Sequence, residues 1–247
     1  MVLTNDPKKQ EEYRQILKIG GTFTVIAIVV VLLEAVLMYF INGYQFREDT
    51  YTAADWFRLI DQSRIAALID KGIMDAFFVI LLFPLYFTLY NVLEIINKFY
   101  AQCLTLLVFV GFAAFFSTNT AFTILFAADV YKYNPNTLAS AEGLQSISKY
   151  GMYYCLGFLL VTIANLIINI FLMKNSILNK FITIIGLVGN GLLLANYISF
   201  AIIPTTAAFG TIVFPLGGGI TLIWYLSLGI GLILLGYKAK NEKKIVE

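Results

Sequence analysis

The chain has 247 residues, of which 60% are hydrophobic and only 13% charged, with a formal net charge of +2. Soluble domains carry about 45–50% apolar and about 25% charged residues. With a mean hydropathy of +0.81, these figures exclude a soluble globular enzyme, a nucleic-acid binder and a disordered chain, and leave a polytopic membrane protein.

A bilayer core needs about 20 mainly apolar residues per helix. Six stretches qualify, at about 19–41, 68–93, 101–127, 150–173, 181–203 and 211–237. The expected fold is therefore all-α, a single domain over residues 1–247 built as a bundle of six transmembrane helices. The polar leader before the first stretch is short. The apolar run after it exceeds 20 residues and ends in Tyr39-Phe40-Ile41-Asn42, without a small-x-small cleavage site. It reads as a retained first helix rather than a signal peptide.

The first outer loop, from Asn42 to Arg64, carries Glu48, Asp49, Asp55 and Asp61. Within it, Ala53 to Ile69 has helical spacing, with Trp56, Leu59 and Ile60 on one side. That segment either lies on the outer surface or continues into the second span, which begins somewhere between Ile65 and Gly72. Asn134-Pro135-Asn136 marks a turn in the second outer loop, followed by a short amphipathic helix from Leu138 to Ser148. Pro84 should kink the second span and free the Ile80 carbonyl. Gly217 to Gly219, after Pro215, weaken the sixth span and suggest a hinge or a broken helix. Gly186, Gly189, Gly191, Gly229 and Gly231 read as close-packing positions.

Orientation follows from Lys/Arg placement. With the N-terminus inside, 11 of the 17 basic residues fall on the inner side and 6 on the outer. Both termini are expected in the cytoplasm, in a multi-pass protein of the cell membrane.

The residue counts narrow the chemistry. With no histidine, His-built metal sites and Ser–His–Asp or Cys–His nucleophiles are impossible. Cys103 and Cys155 sit in apolar runs without CxxC spacing, and read as small buried hydrophobes. Gly217-Gly218-Gly219 is followed by Ile220, so it is not a phosphate loop. No metal and no cofactor are expected.

A charge in hydrocarbon costs about 2.5–3.5 kcal/mol at mid-helix. Glu34 lies seven residues from the outer end of the first span, about 10 Å deep at 1.5 Å per residue. Lys71 and Asp75 are four apart and share a helix face near the outer end of the second span, whereas Asp70 points away. If that span begins at Ile65, Lys71 reaches the depth of Glu34, and Glu34, Lys71 and Asp75 form a buried charged cluster. If it begins later, Lys71 snorkels and Asp70 and Asp75 sit in water. Asn119 and Asn196 fall near the Glu34 level. Asn190, Asn165 and Asn169 lie deeper, and the last two share a face. These amides either line a water-filled cavity or bond between helices. Trp224 and Tyr225 are mid-span, where they pack in the bundle or line a pocket. The ligand-binding candidates are Glu34, Lys71, Asp75, Asn119, Asn196 and Trp224.

The string FLMKNSILNKFITIIGLVGN, followed by a span ending at a proline and then by IWYLSLGIGLILLGYK, is similar to an uncharacterised family of microbial six-span membrane proteins, defined only as a domain of unknown function. LLFPLYFTLYNVLEIINKFYAQC and ASAEGL also resemble it, so the likeness covers about Ile19 to Lys238. It implies a six-span integral membrane protein and brings no substrate, cofactor or catalytic residue.

Three functional classes fit these residues. The first is binding or transport of a small molecule or lipid through an outward-facing polar pocket, with Glu34 and Asp75 as proton- or cation-sensitive carboxylates and Lys71 as counter-charge. The second is a carboxylate-dependent intramembrane enzyme. The third is a sensor or assembly subunit that binds a partner through its outer loops. The expected partners are the lipid bilayer, a small-molecule or lipid ligand, and a second copy or partner subunit, with no nucleic acid.

Overall fold

The computed structural model describes residues 7–42, 52–70, 72–119, 121–150, 152–202 and 207–241. Among the described residues every regular element is an α-helix: α1 (Pro7–Asn42), α2 (Ala53–Gln62), α3 (Arg64–Asp70), α4 (Ile73–Glu94), α5 (Lys98–Thr118), α6 (Ala121–Tyr131), α7 (Thr137–Tyr150), α8 (Met152–Lys174), α9 (Lys180–Ile202) and α10 (Ala207–Asn241). Six stretches are long and apolar enough to cross a membrane, so the protein is an all-α polytopic bundle.

The short connections dictate the arrangement. Residues 95–97 join α4 to α5, and residues 175–179 join α8 to α9. Links of this length force antiparallel neighbours. The α8 end turns on Ser176, which adopts φ 52°. Ile177 N–H donates to Leu172 O and Ser176 N–H to Met173 O, the Schellman pattern that stops a helix. The six spanning helices close in chain order into a ring: α1 packs on α4 and α10, α4 on α5, α5 on α8, α8 on α9, and α9 on α10.

Lipid tails are as apolar as leucine, so helices in a bilayer associate by close packing and hydrogen bonds rather than by hydrophobic exclusion. Missing side chains supply the close approach. A Cβ on Gly111 of α5 would lie 2.7 Å from Gly157 O of α8, and one on Gly157 would lie 2.8 Å from Gly111 O. Gly21 of α1 and Gly229 of α10 face each other in the same way. At the α1–α4 crossing, the Thr88 hydroxyl shares its proton between Pro84 O (2.9 Å), in its own helix, and Ile16 O of α1 (3.0 Å).

Several expectations need correction. The stretch 101–127 is not one helix: α5 ends at Thr118 and α6 begins at Ala121. Gly217 to Gly219 do not break the last span, because α10 runs through Pro215 and the three glycines without interruption. Gly217 instead packs against Leu192 and Leu193 of α9. The second span starts at Ile73, so Lys71 precedes it, and Lys71 itself lies outside the described residues.

The remaining four helices form a small cap at the end of the ring opposite the chain termini. The segment expected as one helix over 53–69 is two, divided at Ser63. Together with α6 and α7 they bury Trp56, Phe57, Ile60, Ala67, Ile124, Ala127, Ala128 and Ala141 in a core of their own. Arg64 pairs with Asp129, and Lys132 Nζ lies 3.0 Å from Asp61 Oδ1. These exposed pairs add about 0–1 kcal/mol each and chiefly orient the α2–α3 pair on α6. A capping box starts α2: Asp55 N–H donates to Thr52 Oγ1 (3.3 Å), and Thr52 N–H donates to Asp55 Oδ2 (3.0 Å).

Two outcomes follow from this packing. Gly157→Ala should lower stability by about 1–3 kcal/mol through overpacking. Gly191→Ala, on a helix face where an added Cβ meets nothing within 4 Å, should be neutral or stabilise by up to about 1 kcal/mol. Thermal unfolding of both variants in detergent would test the opposite signs. The second concerns pH. Hydrogen bonds from the Thr52 backbone and hydroxyl hold the Asp55 carboxyl below its ordinary range. Its support of α2 is therefore complete above the ordinary aspartate value and is lost as pH falls through the lowered folded one. Hydrogen exchange in α2 should quicken over that acid range after correction for intrinsic exchange, and Asp55→Asn should remove most of that response.

Candidate functional site

Polar side chains gather at two levels of the ring. The first is the junction with the cap. Gly72 ends the α3–α4 turn with φ +79°, a conformation that a side chain would disfavour by about 1–2 kcal/mol. Asn119 caps the far end of α5 with extended backbone. Its Nδ2 donates to Gly72 O (3.0 Å), and its Oδ1 accepts from Ala121 N–H at the start of α6 (3.1 Å). One amide thus ties the α3–α4 junction to the α5–α6 junction. It uses one of its two amide protons and one of its two lone pairs.

Asp75 stands beside this joint. Its Oδ2 would lie 3.1 Å from a Cβ on Gly72, and Asn119 Nδ2 would lie 3.9 Å from that same point. Asp75 occupies the first turn of α4, where the helix dipole favours a negative charge. Asp75, Asn119 and Glu34 are each half-buried. Glu34 lies eight residues before the end of α1, about 12 Å from that end.

The second level is deeper and fully enclosed. Tyr86 of α4 follows Asp75 by eleven residues, about 16 Å along the helix. Its hydroxyl meets Asn165 Oδ1 of α8 (2.8 Å) and the Tyr225 hydroxyl of α10 (2.7 Å). Asn165 Nδ2 donates to Tyr225 (3.1 Å) and to Asn190 Oδ1 of α9 (3.1 Å), while Asn190 Nδ2 donates to Gly186 O (2.9 Å). The proton directions follow from the donor inventory. Tyr86 has one proton and gives it to Asn165, so Tyr225 must give its proton to Tyr86. Asn165 returns one to Tyr225, and the three groups close a cycle. These side chains from α4, α8, α9 and α10 cross the middle of the ring. They are the interhelical bonds that sequence reading held open against a cavity lining.

Asn169, one turn from Asn165, donates through Nδ2 to Asn165 O (2.8 Å). Trp224 does not join Glu34, Asp75 and Asn119 as the shared candidate set implied. It is 0% exposed beside Tyr225, with ring centroids 4.6 Å apart. Asn196 is buried in α9, six residues past Asn190 and thus about 9 Å nearer the cap. Sequence reading missed Tyr86 and Thr88, although a tyrosine and a threonine two and four residues after Pro84 on an apolar helix are polar marks that need partners. It also missed Gly20, Gly21, Gly111 and Gly157.

Among the described residues, no group of three or more His, Cys, Asp or Glu stands together to hold a metal ion. No known protein family, curated protein or solved structure matches the chain.

Tyr86→Phe strips the cycle of a donor and an acceptor and leaves Asn165 Oδ1 and the Tyr225 hydroxyl buried without that partner. It should cost about 1–3 kcal/mol. In a double-mutant cycle with Tyr225→Phe, the two losses should be non-additive by about 0.5–3 kcal/mol, read from unfolding in detergent.

Proposed function

We propose that the protein binds a small polar molecule or a lipid headgroup from its capped side and lets it descend toward the central Tyr–Asn cycle, for retention or passage. The observation that carries this reading is the convergence of the Asp75 carboxylate and the Asn119 amide on the Gly72 turn, at the mouth of the ring. Glu34 and Asn196 supply further polar groups between this mouth and the cycle. A carboxylate and an amide with one proton and one lone pair to spare favour a ligand that is cationic or donates hydrogen bonds.

In this reading the cap faces outward and both termini are cytoplasmic. The excess of 11 basic residues over 6 toward the termini supports that orientation. The resemblance to the uncharacterised microbial six-span family belongs to the same proposal, with Lys71 as counter-charge to the acids.

The test is a thermal-shift series on protein in lipid nanodiscs, with choline and ethanolamine as cationic probes and glycerol as the neutral control. A probe at 100 times its Kd adds about 2.7 kcal/mol of stability. A cationic probe should raise the unfolding temperature of the wild type. Asp75→Asn should abolish the rise and Glu34→Gln should reduce it. Equal shifts in wild type and both variants, or no shift with any probe, would refute the pocket.

A second reading has its own support. Tyr133, at the turn between α6 and α7, is 90% exposed, an aromatic offered to solvent by a cap with its own core. Under that reading the cap binds a partner subunit. Tyr133→Ser would then weaken the association while leaving the probe shifts intact.

A further inference from the structure

Helices α1 and α10 cross at Gly21 and Gly229. A Cβ on Gly229 would lie 3.0 Å from Gly21 O there. Seven residues toward the termini in each helix they still touch, since a Cβ on Gly236 would lie 3.1 Å from Arg14 O. Steps of seven and eleven residues are close to two and three whole turns, so positions spaced in this way stay on one face of a helix. Eleven residues toward the cap, the same two faces present Leu32 on α1 and Gly218 on α10, each about 16 Å from the crossing. Had the helices run on in contact, these two would meet. Instead a Cβ on Gly218 meets nothing within 4 Å, and Leu32 is 57% exposed.

The burial pattern draws the same line. Among the described residues of α1, none beyond Ile28 is buried. Before Thr221, α10 buries only Gly217, which packs on Leu192 and Leu193 of the other neighbour, α9. The two helices therefore part above Ile28. They leave a slot that runs the last fourteen residues of α1, about 21 Å.

The slot opens beside the acidic mouth of the ring. Gly20 of α1 packs on Thr88 of α4. Leu32 lies twelve residues beyond Gly20, and Asp75 thirteen before Thr88, about 18 and 20 Å along their helices. Slot and carboxylate thus stand at one level. Glu34 shares it, as the only charged residue of α1 beyond Lys18.

The lining divides as an amphiphile does. Leu32, Ala35 and Leu222 are apolar, Gly218 has no side chain, and α10 carries no charge from Ala207 to Tyr237. Water does not fill such a wall in hydrocarbon. Neighbouring helix axes stand about 8–10 Å apart, whereas the slot tapers to backbone contact at its lower end, so a linear chain fits along it and a helix does not. At the mouth, Asp75 and Glu34 complement a positive charge.

We propose that the slot is a lateral entrance for a phospholipid with an amine headgroup, which reaches the acidic mouth while an acyl chain stays in the cap-side leaflet. The proposal rests on the pocket reading for the headgroup and adds the route and the class of ligand.

The experiment uses the full chain in nanodiscs with phosphatidylethanolamine that carries a photoreactive diazirine in one acyl chain, and locates the labelled residues by mass spectrometry. Labelling at Leu32, Ala35 and Leu222 should saturate, and unlabelled phosphatidylethanolamine should compete better than phosphatidylglycerol. Labelling at Ile184 and Val188, exposed on α9, should not saturate. Gly218→Leu fills the slot and should abolish the saturable labelling. Gly191→Leu, equally open but away from the slot, should leave it intact. Should Gly218→Leu not fold, the paired variant Leu32→Cys with Gly218→Cys decides. Cα atoms more than about 7 Å apart cannot be bridged, so an open slot gives no disulfide between them, and a ready disulfide would overturn the proposal. Labelling no more saturable than on α9, equal competition by phosphatidylglycerol, or a dimer that shields the slot from label would each overturn it too. The pocket is judged separately by the choline shift: a shift that persists without saturable labelling refutes the entrance alone.

Discussion

The cycle of Tyr86, Asn165 and Tyr225 is the interaction that the arrangement of this bundle turns on. Six helices in a ring touch their neighbours but do not meet in the middle. Something must fill the centre, and in a medium without water its polar groups must satisfy one another. Here two phenols and a carboxamide do so in a closed circuit, with Asn190 attached. Each group has its donors and acceptors assigned by its neighbours, so the cycle has little freedom to re-pair. An all-leucine centre would tolerate rotation of one helix against the next. This one ties α4, α8, α9 and α10 to one register.

The glycine crossings make that register attainable. Where Gly111 meets Gly157 and Gly21 meets Gly229, the backbones approach closely enough for side chains across the ring to touch. At the capped end a single amide performs the corresponding task. Asn119 bonds to the turn that opens α4 and to the start of α6. Movement of the cap as a unit therefore has to break or carry along this residue. The salt bridges on the cap are exposed, and resist such movement weakly.

Span count and the apolar character of each run were legible, because about 20 apolar residues per crossing is a demand of the solvent rather than of the fold. The turn at Asn134 to Asn136 and the helical spacing around Trp56 and Ile60 could be read for the same kind of local reason. The break at Asn119 could not. The stretch Lys98–Tyr131 is apolar enough as a whole to read as one span despite Ser117, Thr118 and Thr120, and the Asn119 side chain that closes α5 bonds to Gly72, 47 positions away in the chain. The uninterrupted course of α10 through Pro215 was hidden in the opposite direction. Propensities measured in water overstate what proline and glycine do inside a packed membrane helix. Asn165, Asn169 and Asn190 were visible as polar groups in apolar spans, but which of two fates they met depends on Tyr86 and Tyr225. Those tyrosines look like ordinary hydrophobic residues until their hydroxyls are placed.

The polar groups of the bundle are unequally finished, and this separates structural from functional parts. In the central cycle, the protons that Tyr86, Tyr225 and Asn165 offer all reach protein acceptors, so nothing there waits for a ligand. At the cap junction Asn119 is half used, beside the half-buried Asp75. Beside Gly186 the buried Trp224 Nε1 and Asn169 Oδ1 pack close to the bare Cα, and neither has a hydrogen-bond partner. Retaining Asn169 and Trp224 around a glycine is costly in a dry interior. That cost sets this seam apart from the fully satisfied cycle one turn away.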